Sequence, residues 1–444
     1  MGRKGLWDLK TLPPLEAKIG LARWSGALSG VFRTIHPWPI LGAWLLLFPF
    51  VPGTAGATPS NVGIEFLERR VKADPDDYVA WNYLAPRYLE RARVTGDDVW
   101  IARATQAAEA SLQALGDTQN LGGVANLARA DLAAHRFADA LAHGERMNKI
   151  QPDGLGQLPI IADALLNLGD LDAAERVINN LAQQNESLET EPRLAQLALA
   201  RGHIDDARKH LTAMRDLARA MSPQSPLAIA WCEVQLGELA FRTGDYVTAE
   251  PHYQAALEAL PGWWSAREHI AELRGAQGRT AEAFNIYQDV IAKAPRPELI
   301  QAIGDLHLFL GEKDAAKTWH DRALAAYRDA AEHGSVAYYH YMAGFFCDSE
   351  PDPVEALKAA RKDLELRHTA PALDALAWAQ YKGGDAVTAA ATESKALGTG
   401  IKDSHILYHA GLIEMSAGNL AGGEEDLREA AAVNPCFQAF HVHR

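Results

Sequence analysis

The chain has 444 residues, 43 lysines and arginines against 57 aspartates and glutamates, and a formal net charge of −14 at pH 7. With 48% hydrophobic and 23% charged residues it can bury a core, which excludes wholesale disorder. An isoelectric point near 5.6 excludes a protein whose main task is to coat nucleic acid, because phosphate neutralisation takes clustered Lys and Arg. Cys232, Cys347 and Cys436 are too few for a disulfide framework and show no CxxC or Cys/His spacing that would hold zinc. Length alone suggests about three ordinary domains.

In chain order the first element is a leader. Residues 1–57 hold six basic side chains (Arg3, Lys4, Lys10, Lys18, Arg23, Arg33) against Asp8 and Glu16, a balance of +4. The rest of the chain holds the other 37 basic and 55 acidic residues, a balance of −18. The basic stretch runs into the apolar segment Trp38 to Val51, then Pro52-Gly53 and Ala55-Gly56-Ala57. That order predicts a secretory signal peptide cleaved after Ala57. The apolar run, interrupted by Pro39 and Pro49, is shorter than the roughly 20 residues a spanning helix needs. A retained membrane segment is the alternative, and a true start at Val31 would leave a basic leader of ordinary proportions.

Past residue 58 the dominant signal is a repeat. Glycine turns recur with an alanine after them: Gly169 with Ala174, Gly244 with Ala249, Gly278 with Ala283, Gly311 with Ala316, Gly384 with Ala389. The full marker series is Ala140, Ala174, Ala207, Ala249, Ala283, Ala316, Ala356, Ala389 and Gly423. Successive markers stand 34, 33, 42, 34, 33, 40, 33 and 34 residues apart. Each unit predicts a helical hairpin: a helix closed by a left-handed glycine, a tight turn, and a second helix whose small residue lets the backbones approach. Pro152, Pro261, Pro295 and Pro435 mark borders, since proline is tolerated at a helix start and not in its interior. The two long gaps place about eight extra residues around Leu217 to Leu227, where Ser222-Pro223-Gln224-Ser225-Pro226 reads as a loop, and about six near Arg328 to Ser335.

These residues resemble the tetratricopeptide repeat family. The unit from Ala230 carries Leu236-Gly237, Gly244-Asp245-Tyr246, Ala249, Tyr253, Ala256 and Pro261 at that family's spacings; the unit near Tyr78 carries Trp81, Leu84, Ala85 and Tyr88; the last carries Leu407, Ala410-Gly411, Ala430 and Pro435. The resemblance covers about residues 62–438. It implies an all-α, right-handed superhelical solenoid of stacked antiparallel helix pairs. The organisation expected is a leader at 1–57, an N-terminal capping helix within 58–77, an array of about nine repeats over 78–438 and a tail at 439–444.

The resemblance further implies that the first helix of each unit lines a concave groove. Its phasing turns Trp231, Val234, Glu238 and Phe241 inward, then Ser265, Glu268, Glu272 and Gly275, then Glu298, Gln301, Asp305 and Leu308. Further on the same phasing selects Tyr338, Tyr341, Trp378, Tyr381 and Tyr408. Carboxylates gather in the middle and aromatic rings toward the C-terminus. This predicts a groove for a protein or peptide partner, basic at one end and apolar or proline-rich at the other. Packing of the rings between neighbouring helices is the alternative.

Sixteen histidines also raise a metal-handling reading. His405 and His409 stand one helical turn apart, and His441 and His443 lie at the terminus, but no acidic or sulfur ligand is placed in sequence to complete a site. No metal or cofactor is therefore expected. HExxH, GxSxG, GxxxxGK[ST] and strand-linked GxGxxG are absent, so no catalytic residue is assigned. The expectation is a non-enzymatic scaffold or assembly factor, exported to the periplasm as its leader implies, or tethered to the inner membrane facing the periplasm if the leader is retained.

Overall fold

The computed structural model describes residues 61–183 and 187–441, so the expectations for residues 1–57 and for His443 lie outside the described residues. These form 21 α-helices, with no strand among the described residues. A lone helix α1 (Asn61–Ala73) precedes ten hairpins. The first five are α2 (Tyr78–Thr95) with α3 (Val99–Ala114), α4 (Leu121–Ala133) with α5 (Phe137–Ile150), α6 (Leu158–Leu168) with α7 (Leu171–Ala182), α8 (Glu191–Ala200) with α9 (Ile204–Ala220), and α10 (Pro226–Arg242) with α11 (Tyr246–Ala259). The second five begin with α12 (Trp264–Ala276) and α13 (Thr280–Ile291), then α14 (Pro297–Phe309) and α15 (Lys313–Glu332). They continue with α16 (Tyr339–Gly344), prolonged by a π turn over Phe345–Ser349, and α17 (Pro353–Leu366). The last two are α18 (Ala370–Lys382) with α19 (Ala386–Leu397), and α20 (Ser404–Ser416) with α21 (Leu420–Val433).

The hairpins share local causes. Gly169 takes φ +86° after α6, and the amides of Gly169 and Asp170 donate back to the carbonyls of Leu166 and Leu165, which closes the helix. The next residue caps the second helix: the Asp170, Asp245, Asp385 and Asn419 side chains each accept a backbone N–H three residues on, at 3.0 to 3.1 Å. The alanine markers Ala140, Ala174, Ala207, Ala249, Ala283, Ala316, Ala356 and Ala389 are each the fourth residue of a second helix and all are buried. Gly423 occupies that place in α21. A Cβ on Gly237 would lie 2.5 Å from the Tyr253 ring, which shows how closely α10 and α11 approach. The spacing marks nine hairpins; the first has no marker because α3 buries Ile101 and Ala104 instead.

The loop expected at Ser222 to Pro226 falls in the link before α10, which Pro226 opens, and the other extra residues lengthen helices. Leu217 belongs to the 17-residue helix α9, leaving only residues 221–225 as a link, and most of the second insertion lengthens α15 to 20 residues. Leu217 to Ala220 and Arg328 to Glu332 supply Ala together with Leu, Arg or Glu, which extend a helix readily.

The solenoid is wound so tightly that successive windings touch. Turns of the first five hairpins sit on borders five to six hairpins later. Arg93 O accepts from both Trp263 Nε1 and Trp264 Nε1 at 3.0 Å, and Asp98 receives Arg296 at 3.0 Å and the Tyr338 hydroxyl at 2.6 Å. The His368 amide donates to Leu168 O at 3.1 Å, and Arg242 pairs with Asp403. The turn glycines record this contact. A Cβ on Gly169 would stand 2.5 Å from His368 O and one on Gly202 would stand 2.2 Å from Gly400 O, whereas Gly278, Gly311, Gly384 and Gly418 in later hairpins face open space. The second hairpin has His135 in the glycine's place, at φ 59°, with its ring 3.4 Å from Arg367 and beside Phe137.

Two measurements check this winding. Gly278→Ala should cost about 1–2 kcal/mol for its left-handed φ alone, while Gly202→Ala should lose a further ~1–3 kcal/mol by prising the windings apart. Equal urea midpoints for the two variants would contradict the contact. Burial, reinforced by Arg367, pushes the His135 imidazole down to about 3. An unfolded histidine titrates near 6.5, so the unfolded chain binds more protons between these values and stability falls as pH drops from about 6.5 toward 3. His135→Asn, which keeps a residue tolerant of positive φ, should lose less stability than the wild type between pH 7 and pH 5 in urea titrations.

Candidate functional site

The first helices of the hairpins carry buried polar side chains, several of which are met by the second helix of the same hairpin. Asp131 faces His143 at 2.9 Å, Glu191 faces His210 at 2.8 Å, Glu233 faces His252 at 2.7 Å, and Asp305 faces His320 at 3.0 Å. Asp163 and Arg193 form a fully buried pair at 2.5 Å. His340 meets Asp363 at 3.1 Å. Many of the histidines that raised a metal reading are thus staples between helices. Such pairs hold two elements in register only where both partners are present, because removing one strands a buried polar group.

The residues expected in the groove are brought to the inner side but unequally covered. Trp378 is buried, its Nε1 donating to Asp348 at 2.8 Å, and it lies between Tyr381 and His409. Tyr338 is buried and spends its hydroxyl on Asp98 of the neighbouring winding, with the half-buried Tyr341 against it. Burial drives the phenol of Tyr338 well above its ordinary range, so it stays protonated. Asp305 is held by His320 and by the Ser349 hydroxyl at 2.7 Å, and Trp231 packs half-buried among Ile229, Val234 and Leu236. For Tyr338 and Trp378, buried with their polar tips on Asp98 and Asp348, the structure matches the alternative of rings packed between helices.

What fills the middle of the inner side is the chain's own C-terminus. After α21 the segment from Asn434 turns inward: Phe437 lies against the half-buried Tyr408, and Phe440 is 1% exposed. A Cβ on Gly275 of α12 would stand 2.3 Å from the Phe440 ring, and Phe309 of α14 meets that ring edge-on. His441 follows between Phe241 and His405, with Nδ1 3.0 Å from Glu272 Oε1. The tail therefore rests on Phe241, Glu272, Gly275 and Tyr408, all positions that the repeat phasing turns inward. No signal in the tail itself foretold this; a nine-residue polar-aromatic stretch after the last border reads as an overhang.

Around His441 the inner side is strongly acidic. Glu238, Glu268, Glu272 and Asp403 are all buried; Glu238 and Asp403 pair with Arg242, while Glu268 and Glu272 flank His269. Burial works to raise the Asp403 carboxyl, but the Arg242 guanidinium outweighs it and holds Asp403 below the ordinary carboxylate range. Burial likewise opposes the Arg242 charge, and Asp403, Glu238 and Glu272 together lift it above its ordinary value. The phenols of Tyr253 and Tyr287 are pushed far up, first by burial and then by the field of Glu272. Beside this region, a cavity of ≈ 120 Å³ opens between the windings, walled by Leu166, Leu199, Ile204, Leu239, Ile401 and Val433, with Gln196 and Gln235 at its polar side.

The expected pair of His405 and His409 does not act as one. The His409 Nδ1 lies 2.9 Å from Asp374 Oδ1, whereas His405 turns to His441. One turn of separation puts both on a shared helix side, but Asp374 of α18 claims one of them. Glu272, distant in sequence, is delivered to His441 by the fold.

No family model matches the chain, and no curated protein matches it. Solved structures with a similar course include yeast Tom70, 14% identical, covering 83% of this chain and 88% of that one at a TM-score of 0.37. The APC/C hetero-tetramer Cut9-Hcn1 is 13% identical, covering 84% and 90% at a TM-score of 0.34. Both are distant, and the assignment of an all-α solenoid of tetratricopeptide type rests on the chain's own helix pairs.

Gly275→Ala should expel Phe440 without straining the helix, since alanine is about 1 kcal/mol the better helix former. The expected outcome is faster protease cleavage after Pro435 and faster alkylation of Cys436, with the urea midpoint of the hairpin array unchanged or higher; a tail as protected as in the wild type would contradict its placement.

Proposed function

We propose that the protein is a non-enzymatic protein-binding scaffold or assembly factor whose inner side takes an extended segment of a partner carrying an aromatic side chain next to a basic one. The observation that carries this reading is the tail: a short segment that turns over residues 435–439 and lays Phe440 on Gly275 and His441 against Glu272 already occupies the face. A pre-shaped face lowers the ordering cost of capturing such a segment, and a bare glycine on a helix is the place where a ring can lie flat against backbone. The tail is then a resident that a partner segment displaces.

The scaffold's place outside the cytoplasm is part of the proposal. It is supported by the +4 leader, the apolar run Trp38 to Val51 and the Ala55-Gly56-Ala57 site, with membrane contact only through that leader where it is retained. Among the described residues no helix is long and apolar enough to cross a membrane.

The test uses the chain ending at Pro435 and a synthetic peptide of residues 434–444. In chelator-containing buffer the shortened chain should bind the peptide with a Kd on the order of 10–100 µM by fluorescence anisotropy. The Phe440→Ala peptide should bind at least about tenfold more weakly, given roughly 2 kcal/mol for burying a phenyl ring. The full chain, whose face is filled, should bind neither. Absence of binding to a shortened chain that keeps its helical circular dichroism would sink the reading.

A further inference from the structure

We propose that the cavity between the windings binds a small neutral amphipathic molecule, with a compact branched hydrocarbon body and a primary amide head. Three contacts between windings frame it: the His368 amide on Leu168 O at 3.1 Å, Gly202 against Gly400, and Arg242 paired with Asp403. Gly169, Arg242, His368, Thr399, Ile401 and Asp403, at or beside those contacts, all belong to its lining. The contacts act as posts. They fix the distance between two apolar faces that form separate clusters: Leu199 and Ile204 pack with Leu211 and Leu239 on the early side, and Ile401 packs with Ala370 on the late side. The space between them is ≈ 120 Å³. A cavity of about 150 Å³ holds a benzene ring, so this one takes a body of about four or five carbons.

The head group follows from the polar side of the lining. Gln196 of α8, Gln235 of α10 and Thr369 at the start of α18 are each more than nine-tenths buried. Among the described residues, Gln196 Oε1, Gln235 Oε1 and Thr369 Oγ1 have no hydrogen-bond partner. Thr369 stands at the N-cap of α18 yet makes no side-chain cap. Buried polar groups are costly when unpaired, and three of them around one small space depart from the rule that such groups are matched. A carboxamide without a partner turns about its last side-chain bond at little cost. Each glutamine therefore offers N–H or C=O, and a ligand amide, which has both, answers the pair. Charge on the ligand is disfavoured by the same inventory. Of the charged side chains in the lining, Arg242 is matched by Asp403 and Glu238, and Lys402 by Glu429. An ion entering here would lose its water and gain no counter-charge.

Because both windings supply the lining, the ligand binds them only in contact and so stabilises that contact. No described residue after Val433 lines the cavity, so the site stands apart from the tail and from the groove reading. The test titrates the full chain with isovaleramide by ligand-observed NMR, with isovalerate and isopentylammonium as its charged counterparts. The amide should saturate with a Kd on the order of 0.1–1 mM, within reach of about seven non-hydrogen atoms, and each ion should bind at least about tenfold more weakly. Ala200→Phe, which adds a ring at a half-buried lining position, should abolish binding. Gln235→Leu should weaken the amide about five- to tenfold, the loss of one hydrogen bond. Its urea midpoint should be unchanged or raised, because an unpaired buried group is removed, and this separates a lost contact from a lost fold. The site is overturned by an amide that fails to saturate below about 10 mM, by equal binding of amide and ions, or by wild-type affinity in either variant that keeps its helical circular dichroism.

Discussion

The contact between successive windings is the constraint on which the rest of the structure depends. A solenoid of helix pairs needs only nearest-neighbour packing to be stable, and nothing in such packing closes its interior. Here the turns of the first five hairpins rest on the borders of the last five, through Arg93 with Trp263 and Trp264, Asp98 with Arg296, Leu168 with His368 and Gly202 with Gly400. The interior is thereby narrowed, and side chains that would line an open channel become core.

Closure changes the meaning of the charge. A balance of −18 outside the leader suggested a solvated acidic surface, yet many carboxylates of the first helices are buried and matched by histidine or arginine from another helix. In a low-dielectric interior such pairs specify register more than they add stability. Near α12 the tail's histidine joins this set, with His441 against Glu272.

The tail links the two themes. It enters at Gly275 because a position without a side chain, inside a winding otherwise packed with rings, is the gap an aromatic residue can fill. Tyr408 and Phe241, chosen by repeat phasing as contacts for a partner, serve as contacts for the chain's own Phe437 and His441. The phasing was thus informative about which residues point inward, while the identity of what they touch came from beyond the repeat.

Local physics made the hairpins legible in the sequence. Gly169 followed by Asp170 and Ala174 specifies a left-handed closure, a capped second helix and a close backbone approach within six residues, so the helix pairs and their 33- to 34-residue spacing follow from the chain alone. The capping and small-residue rules act over a few residues, which is why they survive without an alignment. The windings were not legible: residues 160 to 240 positions apart meet there, and no pattern along the chain shows how small rotations between hairpins accumulate. The same holds for the cluster at α12. Glu268, His269 and Glu272 stand together in the sequence, but only the superhelical pitch decides that His441, some 170 residues on, arrives beside them, because pitch is a sum over all the intervening interfaces and belongs to no single one.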